Sequence, residues 1–246
     1  MRENGRFIKG LFATRVAPGA ALRVIFVTLA CGTALWIAHA PVAVAANLEL
    51  RVVDKSGNGV PDVVIVANGA ATTARASAAK MPSFKTAVMD QQARKFVPQV
   101  LVVQTGAEVS FPNNDTVSHQ VYSFSPARSF QLPLYKGEVH TPVAFDKPGL
   151  VVLGCNIHDE MVGYIYVTAS PYFAKTDPDG RAQIRNVPAG SYQLDAWGPR
   201  VADTHDVLAR ELTVTDAATA VPVEWRLQKP VRAHVSPGPR DVDWDY

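Results

Sequence analysis

The stretch GCNIHDEMVGYIYV (154–167) places Cys155, His158 and Met161 within seven positions. Thiolate, imidazole and thioether form a soft to borderline donor set, suited to copper more than to Mg²⁺ or Ca²⁺. Zinc accepts the first two, but a thioether adds little for it. A trigonal site of one thiolate and two imidazoles, with a long axial methionine, is an electron-transfer arrangement, so a second imidazole is required. His119 ends the segment VSFPNNDTVSH (109–119), where a strand-end loop can bring it against residues 155–161. Each residue also has an ordinary reading. A lone cysteine after an apolar run is usually a buried small side chain. A methionine opening a strand is usually core, and a histidine in a polar loop is usually solvated.

These donors need elements to position them. GLVVLGC (149–155) is an apolar run ending at the cysteine, and MVGYIYV (161–167) reads as the next strand. The loop between them can therefore present all three groups from one rim of a sandwich, fixing geometry before a metal arrives. Upstream, 85–125 holds three expected strands, with breaks near Gln91 and at Gln104-Thr105-Gly106, and a loop-rich stretch follows. NLELRVVDKSGNGVPDVVIVANG (47–69) reads as strand, turn, strand, with Leu48, Leu50 and Val52 on one face and Lys55 to Gly59 as a hairpin-type turn. ATTARASAAKMPS (71–83) reads as a linker. After Ser170-Pro171, short strands alternate with DPDG and PAG turns, and 209–227 adds two more. No window sustains helical periodicity over three turns. The expected fold class is all-β, of the sandwich or small-barrel type.

The ends carry different information. Arg2, Arg6, Lys9, Arg15 and Arg23 precede the apolar run VIFVTLACGTALWIA (24–38) and an Ala43-x-Ala45 site, which together read as a secretory signal peptide over 1–45. An uncleaved anchor is the alternative, since no charged residue stands between Arg23 and Glu49. Thr28-Leu29-Ala30-Cys31 is a poor lipoprotein site, because apolar sequence continues past the cysteine. Five of the 24 basic and one of the 22 acidic residues lie in 1–45, leaving 19 against 21, a balance of −2. That near-neutral balance gives no support to nucleic acid or an anionic membrane as partner. Cleavage also leaves Cys155 as the only cysteine. Exported cysteines normally pair as disulfides, so this one is a buried hydrophobe, a reactive group, an intermolecular bridge or a metal thiolate. The segment QKPVRAHVSPGPRDVDWDY has proline and charge without pattern, and 229–246 is an expected flexible tail.

Residues 84–167 resemble a cupredoxin of the plastocyanin and amicyanin type. The likeness is carried by Phe96-Val97-Pro98, by Val102 to Gly106, and by Val109-Ser110-Phe111-Pro112-Asn113-Asn114-Asp115 leading to a first histidine. It is carried further by Cys155-x-x-His158-x-x-Met161 and by Met161-Val162-Gly163 with Val167. The resemblance implies a Greek-key β-sandwich holding one type 1 (blue) copper per chain. Cys155 would be the equatorial thiolate, His119 and His158 the equatorial imidazoles, and Met161 a weak axial ligand. It also implies single-electron transfer between redox protein partners, with His158 as the surface port. Proteins with such a block are often labelled methylamine-utilisation or plastocyanin-like. One departure is Gln120, where cupredoxins often carry asparagine directly after the first histidine to tie the ligand loops together.

The flanks, 47–70 and 168–228, resemble a carboxypeptidase-regulatory-like, transthyretin-like sandwich, through Lys175 to Gly180 and Asn186-Val187-Pro188-Ala189-Gly190-x-Tyr192. The resemblance implies that the 84–167 block is inserted in that sandwich or packed beside it, with 47–69 as the block's own first hairpin as the alternative. The reading expected overall is a periplasmic or secreted blue copper carrier, not an enzyme, with no stable membrane association after cleavage. Two alternatives stand beside it. One is a copper-handling protein, and the other an adhesion or carbohydrate-binding sandwich with a vestigial copper block, in which Trp197 and Trp225 stack on sugar. Other candidates are weaker. His140 reads as a solvated loop residue rather than a ligand. Asp203, His205 and Asp206 lack a paired nucleophile. Asn114-Asp115-Thr116 matches a glycosylation acceptor, but its polarity reads as turn chemistry beside His119.

Overall fold

Alternation builds the first strand of the computed structural model, which describes residues 45–70, 86–137, 140–201, 208–215 and 220–227. The leader up to residue 44, the 71–83 linker, Asp203, His205, Asp206 and the 229–246 tail lie outside the described residues. In β1 (Ala45–Val53), Leu48, Leu50 and Val52 are buried while Glu49 and Arg51 face solvent, the period-two pattern of a strand covered on one side. In β2 (Val64–Gly69), Val64 to Ala67 are all buried, so both of its faces are covered.

Ten short strands follow. They are β3 (Ala87–Val88), β4 (Asp90–Gln92), β5 (Lys95–Val97), β6 (Val100–Gln104), β7 (Ala107–Ser110), β8 (His119–Ser125), β9 (Arg128–Tyr135), β10 (Val143–Phe145), β11 (Gly149–Leu153) and β12 (Gly163–Thr168). Where three strands were expected before residue 125, there are six, because turns at 93–94, 98–99 and 105–106 cut the run into pieces. The expected loop-rich stretch contains β9, eight residues long and paired with β8. Its sequence RSFQLPLY alternates, but Pro133 and the polar residues disguised it. Among the described strands β9 pairs only with β8, so it tolerates a proline and a wet outer face.

Five more strands complete the chain: β13 (Phe173–Lys175), β14 (Arg181–Pro188), β15 (Gly190–Trp197), β16 (Leu208–Val214) and β17 (Ala220–Arg226). Four sheets carry the cores: β14-β1-β17, β13-β2-β15-β16, β11-β12-β6 and β10-β7-β3. The β4-β5 and β8-β9 ribbons accompany them. The fold is all-β. β1 and β2 join different sheets and do not form the expected hairpin, since a strand buried on both faces cannot be the arm of a solvated ribbon. β1 instead runs parallel to β17, from Asn47↔Ala220 to Val53↔Arg226. β2 and β13, the strands on either side of the ten-strand segment, pair with each other at Val66↔Phe173 and Val64↔Lys175.

Two apolar cores result. One draws mainly on residues 46–67 and 172–227, the other on Met89 through Val167. The β11-β12-β6 sheet serves both. Val103, Val151, Leu153, Ile165 and Val167 face the second core, while Val100 and Tyr164 belong to the first. Trp197 of β15 meets Tyr164 and Tyr166 of β12 at ring-centroid distances of 5.4 and 5.8 Å. No described helix is long and apolar enough to cross a membrane.

Candidate metal centre

His119 opens β8 and is fully buried, an expensive place for an imidazole unless both ring nitrogens find partners. Its Nε2 lies 2.8 Å from Asp115 Oδ2, and its Nδ1 points the other way. Asp115 accepts only, so Nε2 carries the hydrogen and donates to it, leaving the Nδ1 lone pair free. The backbone N–H of Arg94, 2.7 Å from the same Oδ2, holds the Asp115 carboxyl far below the ordinary carboxylate range, with the His119 ring adding to the effect. The loop before His119 is fixed by Asn113, whose Nδ2 donates to the carbonyls of Val117 and Tyr135 and whose Oδ1 accepts from the Asp115 N–H.

One residue, Gly154, separates Cys155 from the end of β11. Gly154 makes reciprocal backbone bonds with Tyr122 of β8, 3.0 and 3.1 Å long, so the cysteine is delivered beside the strand that starts with His119. Cys155 is buried and unbridged. The chain then turns through Asn156 and Ile157 to a partly exposed His158, whose carbonyl accepts the Met161 N–H at 2.9 Å. Met161 is fully buried in the same core as Cys155, two residues before β12 rather than within it.

The three donors converge. Cys155 Sγ is 3.8 Å from His119 Nδ1 and 3.8 Å from His158 Nδ1, and the two Nδ1 atoms are 3.2 Å apart. A point equidistant from those atoms lies about 2.1 Å from each, inside the range of roughly 2.0–2.3 Å for metal–nitrogen and metal–sulfur bonds. The residues present fit a copper ion in donor type and in spacing. His158 is pulled below the ordinary histidine value, first by desolvation and then by His119 and Arg94, which favours its neutral ring. An open cavity of about 690 Å³ borders the site, lined by Arg94, Lys95, His158, Asp159 and Glu160 among others.

Other expectations fare differently. His140 is not a loosely solvated residue. It is half-buried, its ring stands edge-on to Tyr135 at 4.5 Å, and its buried Nε2 has no partner among the described residues. Trp197 is 1% exposed and cannot offer a face to a sugar, whereas Trp225 is half-buried against the first core. The Gln120 side chain makes no hydrogen bond to another described residue. The polar group that serves the His119 imidazole is Asp115, whose polarity in the sequence reads as turn chemistry. The spacing Asp115-x-x-x-His119 was the available signal.

Compared with known protein families and with curated proteins, the chain matches none. Solved structures match part of it. A purple cupredoxin from Nitrosopumilus maritimus aligns at 21% identity and a TM-score of 0.30, covering 33% of this chain and 99% of that one. The reduced Cu(I) form at pH 4 of an amicyanin variant aligns at 22% and 0.32, covering 35% and 86%. A Cu-containing nitrite reductase from Thermus scotoductus aligns at 27% and 0.33, covering 37% of this chain and 24% of that one.

Proposed function

We propose that this protein is an exported single-electron carrier with one type 1 copper, held by Cys155, His119 and His158 and capped by Met161. One observation supports the reading above the rest. A buried, unbridged cysteine and two imidazole Nδ1 atoms surround a point at metal-bonding distance, with all three atoms within 4.8 Å of one another. Bound copper would supply a Cu(II)/Cu(I) couple. The chain does the rest: burial keeps water from the thiolate, Asp115 fixes the ring of His119, and His158 brings its imidazole to the surface. A redox protein partner would dock over His158, beside the cavity bordered by Arg94 and Lys95. In this reading the 84–167 block is cupredoxin-like and is inserted in a transthyretin-like sandwich, and the pairing of β2 with β13 supports that arrangement. Export to the periplasm or beyond rests on the 1–45 leader.

A second reading, copper handling with the metal as cargo, draws on the open cavity beside His158, which gives solvent chelators a path to the site. Competition with a Cu(I) chelator, run alongside a redox titration, separates the two. Release over hours with a reversible one-electron titration supports the carrier. Release within the mixing time and no reversible couple would exclude it.

A further inference from the structure

The tight turn between β4 and β5 carries Ala93 and Arg94 at φ of 47° and 57°, left-handed backbone that side chains beyond glycine, asparagine and aspartate adopt at a cost. Something must hold it. The Arg94 N–H donates to Asp115 Oδ2 at 2.7 Å, and His119 Nε2 donates to that same oxygen at 2.8 Å. Asp115 is 7% exposed, and the His119 side chain is fully buried. Its other oxygen, Oδ1, accepts the Thr116 N–H, and Asn114 reaches across to Asp90 of β4 at 2.9 Å. One carboxylate oxygen is therefore the common partner of an inner imidazole and an outer turn, and that turn lines the cavity beside His158.

We propose that Asp115 is a positioning residue that sets the metal-facing nitrogen of His119 and the surface turn bearing Arg94 as one unit. The inference rests on the copper reading only for its consequence, not for its geometry. Asp115 fixes which ring nitrogen of His119 bears the hydrogen, so that Nδ1 is offered as a lone pair toward Cys155 and His158. The same contact stabilises the strained turn and so fixes the Arg94 and Lys95 stretch at the rim of the cavity it shares with His158. Loss of the carboxylate would release both ends together, and a partner docking at the turn would act on His119 through a single atom.

The test uses Asp115→Asn, which keeps size and removes charge, with Asp115→Ala as the second variant should asparagine impair folding. In the metal-free wild type, long-range ¹H–¹⁵N imidazole spectra are expected to show His119 with hydrogen on Nε2, and the Arg94 amide is expected far downfield and slow to exchange. The variant is expected to mix the two His119 tautomers, to move the Arg94 amide upfield and to speed its exchange. Copper affinity should then fall by about 10–100-fold, the usual effect of removing an outer partner of a ligating histidine. A folded variant with the wild-type tautomer and the wild-type Arg94 amide overturns the proposal. So does a variant in which only one of those two signals moves. If the wild type takes up no copper, the carrier reading fails, while the metal-free spectra decide the role of Asp115 unaided.

Discussion

At Gly154 a side-chain methyl would sit 2.6 Å from the Tyr122 ring, in the residue just before the thiolate. Gly154→Ala should therefore cost about 1–3 kcal/mol in denaturant unfolding, as overpacking does, and should weaken copper binding as well. Equal stability with intact binding would show that Tyr122 swings aside freely. His158 supplies a pH test on the metal-free protein. Its folded value lies below the ordinary 6.5, so between those values the unfolded chain binds more protons than the folded one. Its stabilising contribution is complete above about pH 6.5 and is lost as pH falls through the lowered folded value. Asp115 and Asp90, both lowered from 3.8, act only further down. The urea midpoint should be lower at pH 5.5 than at pH 7.5, and His158→Gln should shrink that difference. An unchanged difference in the variant would contradict the assignment. The donors themselves were legible because thiolate, imidazole and thioether are scarce residue types whose spacing limits their use. Asp115 was not, since aspartate in a polar loop has many local uses and its hydrogen-bond partner cannot be read from type.

Among the elements, β12 does most to join the two cores. Its inward residues Ile165 and Val167 belong to the block that holds the donors, and its outward Tyr164 and Tyr166 pack on Trp197. Trp197→Ala should cost about 3–5 kcal/mol of unfolding free energy, the usual loss for a buried large aromatic. A cost under 1 kcal/mol would mean that the aromatic contact is dispensable. β11 and β12 were readable as strands because Leu and Val in one, and Tyr, Ile and Val in the other, run together with glycine only at the first position. β9 was missed for the opposite reason. It is an edge ribbon whose inward positions Phe130 and Leu132 alternate with Ser129, Gln131 and Pro133, and tertiary pairing rather than local pattern decides its state. The parallel pairing of β1 with β17 was equally hidden, because nothing local links residues 45–53 to residues 220–226.

At the scale of the molecule, the described residues between 45 and 227 form one compact unit in which the β11-β12-β6 sheet packs against both cores. The flanking strands and the donor block should therefore unfold together. The described tryptophans, Trp197 and Trp225, both lie in the flanking strands, so their fluorescence reports the part without the donor residues. Copper at about 100 times its dissociation constant should stabilise the folded state by about 2.7 kcal/mol, and the tryptophan-detected midpoint should rise with it. A rise seen only by probes of the donor block would mean that the halves are energetically separate. The measurement that bears most directly on the central claim is the visible absorption spectrum of the copper-loaded protein, wild type against Cys155→Ser. An intense blue band in the wild type, absent from the variant, is the expected result, because it requires a thiolate bound to Cu(II). A wild type that holds copper without that band, or a variant that keeps it, would contradict the type 1 site.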